Sequence, residues 1–75
     1  MERRPNMPVI NTLDLEGVSE KSWGDAAREA LKEAAKTIRQ ISRLEVIEYG
    51  TEVEDGKIAR YRTHVRIYFQ VESER

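Results

Sequence analysis

The chain has no cysteine, one histidine, one tryptophan and one phenylalanine among its 75 residues. Without cysteine there is no disulfide and no thiolate metal site, and one histidine argues against a histidine-based zinc centre within a single chain. No apolar run approaches the roughly 20 residues that a membrane-spanning helix needs, so no membrane partner is expected. Charge of neither sign dominates. The 13 basic and 14 acidic residues leave a net charge of −1, which supplies no long-range field for nucleic acid. The opening MERRPNMPV is positively charged, but the apolar core of a secretory signal does not follow it, and a cytoplasmic location is the expectation. No serine–histidine–acid or paired-carboxylate constellation emerges from the spacing, so an enzyme is not expected.

Residues 1–6 read as a mobile tail and 7–75 as one domain. So short a chain buries only about 60% of the surface it exposes when unfolded. The usual supplements are disulfides, a structural metal or oligomerisation, and oligomerisation is the one that remains.

Four pieces are present. VINTLDLE (Val9–Glu16) alternates apolar and polar residues, as a half-buried strand does, and Gly17 is expected to end it. SWGDAAREALKEAAKTIRQI begins with Ser22 as N-cap and Asp25 three residues on, a capping-box variant. It then repeats Trp23, Ala26, Ala27, Ala30, Leu31, Ala34, Ile38 and Ile41 on one stripe, so a helix of about 20 residues, roughly 30 Å long, is expected. Arg43–Glu54 and Lys57–Ser73 read as two strands joined at Asp55-Gly56, a pair suited to the positive φ angles of a type I′ turn. That turn sets Glu54 opposite Lys57. Counting back pairs Val46 with Val65 and Leu44 with Ile67 on one face. It pairs Glu45 with Arg66, Tyr49 with Arg62 and Arg43 with Tyr68 on the other.

The resulting order is β-α-β-β, an α+β subunit with a three-stranded antiparallel sheet in order 1-3-2 and one helix on one face. The last strand has the cleanest apolar face and belongs in the centre. The second sheet face, rich in arginine, tyrosine and glutamate, has no cover within the chain. Long strands with an open face invite pairing with further copies, so a homo-oligomer is expected.

In this order the pieces resemble the dodecin family from Val9 to about Glu72. LDLEGVSEKSW is similar to the family's passage from first strand to helix, and AAREALKEAAKTIRQI to its alanine-rich helix. LEVIE resembles the start of its second strand, and DGKI with YRTHVRIYFQVE its turn and closing strand. The resemblance implies a hollow homododecamer that binds and stores small molecules without catalysis, with FMN or riboflavin as the ligand of many members. It places Arg43 where the family's flavin-stacking tryptophan stands, and Arg62 where a glutamine hydrogen-bonds the ring. Arg43, Glu45 and Arg62 are therefore the candidate ligand-binding residues, for a flavin or another anionic ligand. A branch without that tryptophan binds calcium, and Ser22-Trp23 and Arg62 resemble it. A structural or Ca2+-binding assembly without flavin is the alternative.

Each candidate has a plainer reading beside it. The stripe Arg60, Arg62, His64, Arg66 suits an anionic ligand, but Glu45, Glu48 and Glu52 match it as cross-strand or intersubunit partners. His64 is a switch or ligand, or an ordinary hydrogen-bonded strand residue. Glu52, Glu54 and Asp55 supply oxygens for calcium, or form a solvated turn. Trp23 marks a pocket, or packs in the stripe.

Overall fold

Four elements follow one another in the order read from the sequence: β1 (Val9–Ser19), α1 (Trp23–Ala35), β2 (Ile41–Glu54) and β3 (Lys57–Val71). The structure is a computed structural model that describes residues 9–71. The expected tail at 1–6, and Glu72 and Ser73 of the expected last strand, lie outside the described residues. The sheet is antiparallel in order β1-β3-β2, so β3 hydrogen-bonds to both other strands. No helix among the described residues is long and apolar enough to cross a membrane.

The hairpin turns where its residues demand. Asp55 and Gly56 have φ of 52° and 75°, the left-handed pair of a type I′ turn. Glu54 stands opposite Lys57, Val46 opposite Val65, Leu44 opposite Ile67 and Arg43 opposite Tyr68. The middle departs from the simple count. Ala59 is an extra residue on β3, and Ile47 is an extra residue on β2 that restores the register. Between these two bulges the pairing is shifted by one, so Tyr49 faces Thr63 and Gly50 faces Arg62. A one-residue shift moves side chains to the opposite face. Tyr49 therefore leaves the arginine face, where the sequence put it, and joins Trp23 on the helix face, with ring centroids 5.1 Å apart.

The helix begins as expected. Ser22 accepts a hydrogen bond from the backbone N–H of Asp25 at 2.9 Å, satisfying one of the first-turn donors that no helical carbonyl can reach. It ends earlier than expected, after 13 residues. Lys36 and Thr37 already donate only three residues back, to Glu33 and Ala34. Gln40 then swings to φ 60° and sends Ile41 into β2 opposite Phe69. Ile41 belongs to the sheet, not to the helix stripe.

β1 runs through Gly17 to Ser19 instead of stopping there. The glycine serves the packing. A Cβ at Gly17 would sit 1.9 Å from the carbonyl oxygen of Ala26 and 3.3 Å from Cβ of Ala30. The helix lies directly on the strand at this point. Ala30 and Ala34 on the helix meet Val65 and Ile67 on β3, and with Ala26, which lies against Gly17, these are the buried apolar residues among those described. Leu15, Leu31, Ile38, Leu44 and Phe69 pack around that cluster.

Such a core is small for so extended a body, which measures 63 × 23 × 13 Å. A 13-residue helix is about 20 Å long, whereas β3, with 15 residues, extends about 50 Å. The hairpin runs on beyond the helix, and there Val53 and Ile58 are 62% and 54% exposed.

Gly17→Ala should cost about 1–3 kcal/mol or more, because a backbone oxygen cannot yield as a flexible side chain would. Gly50→Ala, which meets nothing within 4 Å, should leave stability nearly unchanged. Thermal unfolding of the two variants beside the native chain checks both. Equal midpoints would remove the close helix–strand contact from the fold.

Candidate functional site

Alternation along β3 delivers Val65 and Ile67 to the helix and Arg60, Arg62, His64, Arg66 and Tyr68 to the other face. β1 adds Asp14 and Glu16 to that face, and β2 adds Arg43, Glu45, Glu48 and Glu52. The cations are held from both sides. Arg66 donates to Asp14 at 2.8 and 3.1 Å, and His64 Nε2 stands 3.0 Å from the same carboxylate. Arg62 donates to both oxygens of Glu16, at 2.9 and 2.7 Å, and to Glu52. Arg60 donates to Glu52 at 2.7 Å and to Glu54 at 3.2 Å. Each is a charge-assisted bond, and the Arg62–Glu16 pair has the two-pronged geometry that fits guanidinium to carboxylate.

These bonds favour the charged forms. Hydrogen bonding from Arg66, with a further contribution from His64, lowers the Asp14 carboxyl from its usual 3.8 to about 2. Arg62 lowers Glu16, and Arg60 followed by Arg62 lowers Glu52. The bonds to Glu16 and Asp14 in turn raise Arg62 and Arg66.

An open groove of about 430 Å³ runs along this face. Its lining includes Asp14, Glu16, Glu48, Gly50, Arg62 and His64. Gly50 presents no side chain opposite Arg62, which leaves the β2 side of the groove open.

At the far end of the face lies a different arrangement. Arg43 Cζ sits 3.8 Å from the centroid of the Tyr68 ring. The Tyr68 hydroxyl donates to Glu45 at 2.7 Å, and Glu45 is also 3.5 Å from Arg43 Nε. The three residues form one cluster. Ser42, an extra residue in β2 between the pairs Ile41–Phe69 and Arg43–Tyr68, reaches across to the Tyr68 carbonyl at 3.3 Å.

Of the three residues selected from sequence, Arg43 and Glu45 are therefore brought together and Arg62 is not. Arg62 stands six positions from Tyr68 along β3, about 20 Å away. Glu45 lies opposite Arg66 as expected, but Arg66 bonds Asp14 and Glu45 takes Tyr68. The partners overlooked as such, Asp14 and Glu16, come from β1, whose polar side was visible but whose register no short turn specifies. Tyr68 was visible only as the cross-strand neighbour of Arg43.

Trp23 packs. Its Nε1 donates to the Gly50 carbonyl at 2.9 Å, and its ring lies edge-on to Tyr61 at 5.1 Å. Glu52 and Glu54 are engaged by Arg60, and among the described residues no group of three or more His, Asp or Glu side chains is placed to hold a metal ion.

One helix laid across a long β1-β3-β2 sheet, with a paired-charge second face, defines a class of small α+β subunits. The Dodecin family model matches residues 9–72, and the chain belongs to that family, which is known for flavin binding and dodecamers. Among solved structures it is similar to the tt0972 protein of Thermus thermophilus, with a TM-score of 0.85 and 26% identity over 91% of this chain and 100% of that one. It is similar to calcium dodecin of Mycobacterium tuberculosis, a calcium-chelating antigen, with a TM-score of 0.77 and 28% identity over 89% and 96%. Dodecin of Streptomyces coelicolor shares the fold, with a TM-score of 0.84 at 24% identity over 89% and 96%. No curated protein matches the chain.

The lowered carboxylates set a direction for pH dependence. A carboxyl depressed in the folded state contributes stability above its ordinary value and loses it as pH falls through the folded value. The thermal midpoint should therefore hold from neutrality to about pH 5 and fall below about pH 4. Asp14→Asn should remove the part of that fall nearest pH 2 and lower the midpoint at pH 7. Added salt should shrink the effect of the substitution, because the pairs are solvent-exposed. A midpoint independent of pH down to 2 would contradict the bonded ladder.

Proposed function

We propose that this chain is a non-catalytic subunit of a hollow homododecamer in the cytoplasm that binds and stores a flavin or a similar planar anionic molecule. The observation that carries the reading is the Arg43 guanidinium laid on the Tyr68 ring at 3.8 Å, at the position that the resemblance implies for the family's stacking tryptophan. A guanidinium is planar and weakly hydrated, and it stacks on aromatic faces. The exchange keeps a flat surface and adds a positive charge.

The shape of the subunit supports assembly. Among the described residues five buried apolar side chains hold a body 63 Å long. Both outer strands of the sheet are open edges, which favour pairing with further chains, and the hairpin beyond the helix exposes apolar side chains that a neighbouring copy would cover. Arg43 and Arg62 are too far apart on one subunit for a single small ligand to meet both. A ligand that contacts Arg43, Glu45 and Arg62 together does so where two copies come together, so the ligand reading requires the assembly.

A structural shell without flavin is the second reading. It is favoured by the engagement of Arg60, Arg62 and Arg66 with carboxylates, which offsets the charge these cations would offer an anion.

Native mass spectrometry of the protein purified from cells should give the mass of twelve 8.7 kDa chains, with a retained ligand. Riboflavin or FMN added to ligand-stripped protein should show raised fluorescence anisotropy. A monomer mass would end the assembly reading. A dodecamer that binds neither flavin would leave the structural shell in its place.

A further inference from the structure

We infer that Tyr68 is a ligand-positioning residue. With Arg43 it forms a flat cationic platform for a planar aromatic ring with negative charge or acceptors at its edge, and Glu45 holds the platform in place. This rests on the reading that the charged face binds a small ligand, and it names the part of the face that does so.

The arginines of the face divide into two kinds. Arg60, Arg62 and Arg66 each donate two or three hydrogen bonds to carboxylates, so each already has an anionic partner. Arg43 has only an ion contact with Glu45 at 3.5 Å, and its guanidinium makes no hydrogen bond among the described residues. Its side chain is 57% exposed. One plane of the guanidinium rests on Tyr68, which leaves the opposite plane and the N–H edges open to a ligand.

Three features hold the platform. The hairpin register sets Arg43 opposite Tyr68. The phenol is tied to Glu45 at 2.7 Å, which fixes the ring. The ring in turn orients the guanidinium by cation–π attraction. A guanidinium already flat before the ligand arrives loses less side-chain freedom on binding, and such preorganisation raises affinity. The stacked cation recognises a flat ring by its face and an anionic or acceptor edge by its N–H groups. A saturated neutral molecule offers neither.

Titrations of the full chain with riboflavin and with FMN, followed by fluorescence anisotropy, test the assignment. Tyr68→Leu should weaken both ligands in parallel by about threefold to tenfold. Tyr68→Phe, which keeps the ring and loses only the tether to Glu45, should retain most of the affinity. Arg43→Met, which keeps a linear stem and removes the charge, should match the loss in Tyr68→Leu and reduce the salt dependence of FMN binding. It decides the matter if the leucine variant does not assemble by native mass spectrometry. Undiminished binding by an assembled Tyr68→Leu, or by Arg43→Met, overturns the inference alone. A loss confined to FMN does so too, because it would place Tyr68 at the phosphate and not under the ring. Failure of both flavins to bind the native protein overturns the ligand reading and the inference together.

Discussion

Arg60, Arg62, His64 and Arg66 follow one another at alternate positions of a single strand, so their side chains share one face at intervals of about 7 Å. Like charges so placed repel, and β3 can occupy the centre of the sheet only if its neighbours bring carboxylates to the same face. Both do. β1 supplies Asp14 and Glu16, and β2 supplies Glu52 and Glu54. The order β1-β3-β2 follows from this as much as from the hairpin, since a strand with cations along its whole polar face is best matched by an acidic strand on each side. The same alternation frees the opposite face for Val65 and Ile67, the centre of the apolar core.

On that apolar face the limiting dimension is distance and not area. The helix approaches β1 so closely that only glycine fits at position 17, and the residues that meet the sheet are alanines. Close approach of two backbones brings good packing per atom, but it buries few atoms. The Thr63 hydroxyl, itself buried, closes the contact by donating to the Trp23 carbonyl at 2.9 Å. Trp23, Tyr49 and Tyr61 then form an aromatic margin where the helix starts. Beyond it the hairpin extends with apolar residues in solvent, so the chain's own fold does not exhaust its hydrophobic surface.

Local chemistry was legible in the sequence wherever one residue type dictates one geometry. Asp55-Gly56 dictated the turn and the pairing next to it, and Ser22 the helix start; the register was right again from Val46 to Arg43 because a second bulge restores it. Tyr49 was misplaced because two bulges, at Ala59 and Ile47, cancel one another. No residue preference announces either, and only the stretch between them is shifted. Gly17 reads as a strand breaker in one dimension and proves to be the seat of the helix in three. The helix was drawn too long because Ile38 and Ile41 continue its apolar period, while the need to deliver Ile41 to Phe69 overrides periodicity. The candidate site was legible in part. The Arg43–Tyr68 neighbours follow from the register, but Asp14 and Glu16 reach β3 from 50 or so positions away, and nothing in a single sequence aligns them.

Exposed ion pairs contribute little to stability one by one, about 0–1 kcal/mol each, so the ladder's main effect is on register and on which strands pair. Sealing the face against another copy would alter that. Removal of water strengthens each pair and penalises any charge without one. Among the described residues Glu48 is the one carboxylate on this face with no cation within ion-pair distance, and a sealed face needs a donor for it from outside the subunit. Arg43 stands at the opposite extreme. The β1 carboxylates reach no further than Arg66, so Arg43 is not required to hold the strands in line. Its charge rests on an aromatic ring and not in a two-pronged carboxylate bond, a cheaper attachment to break or to share. The cations that define the sheet are those least able to serve a ligand, and the one at the end of the face is free to do so.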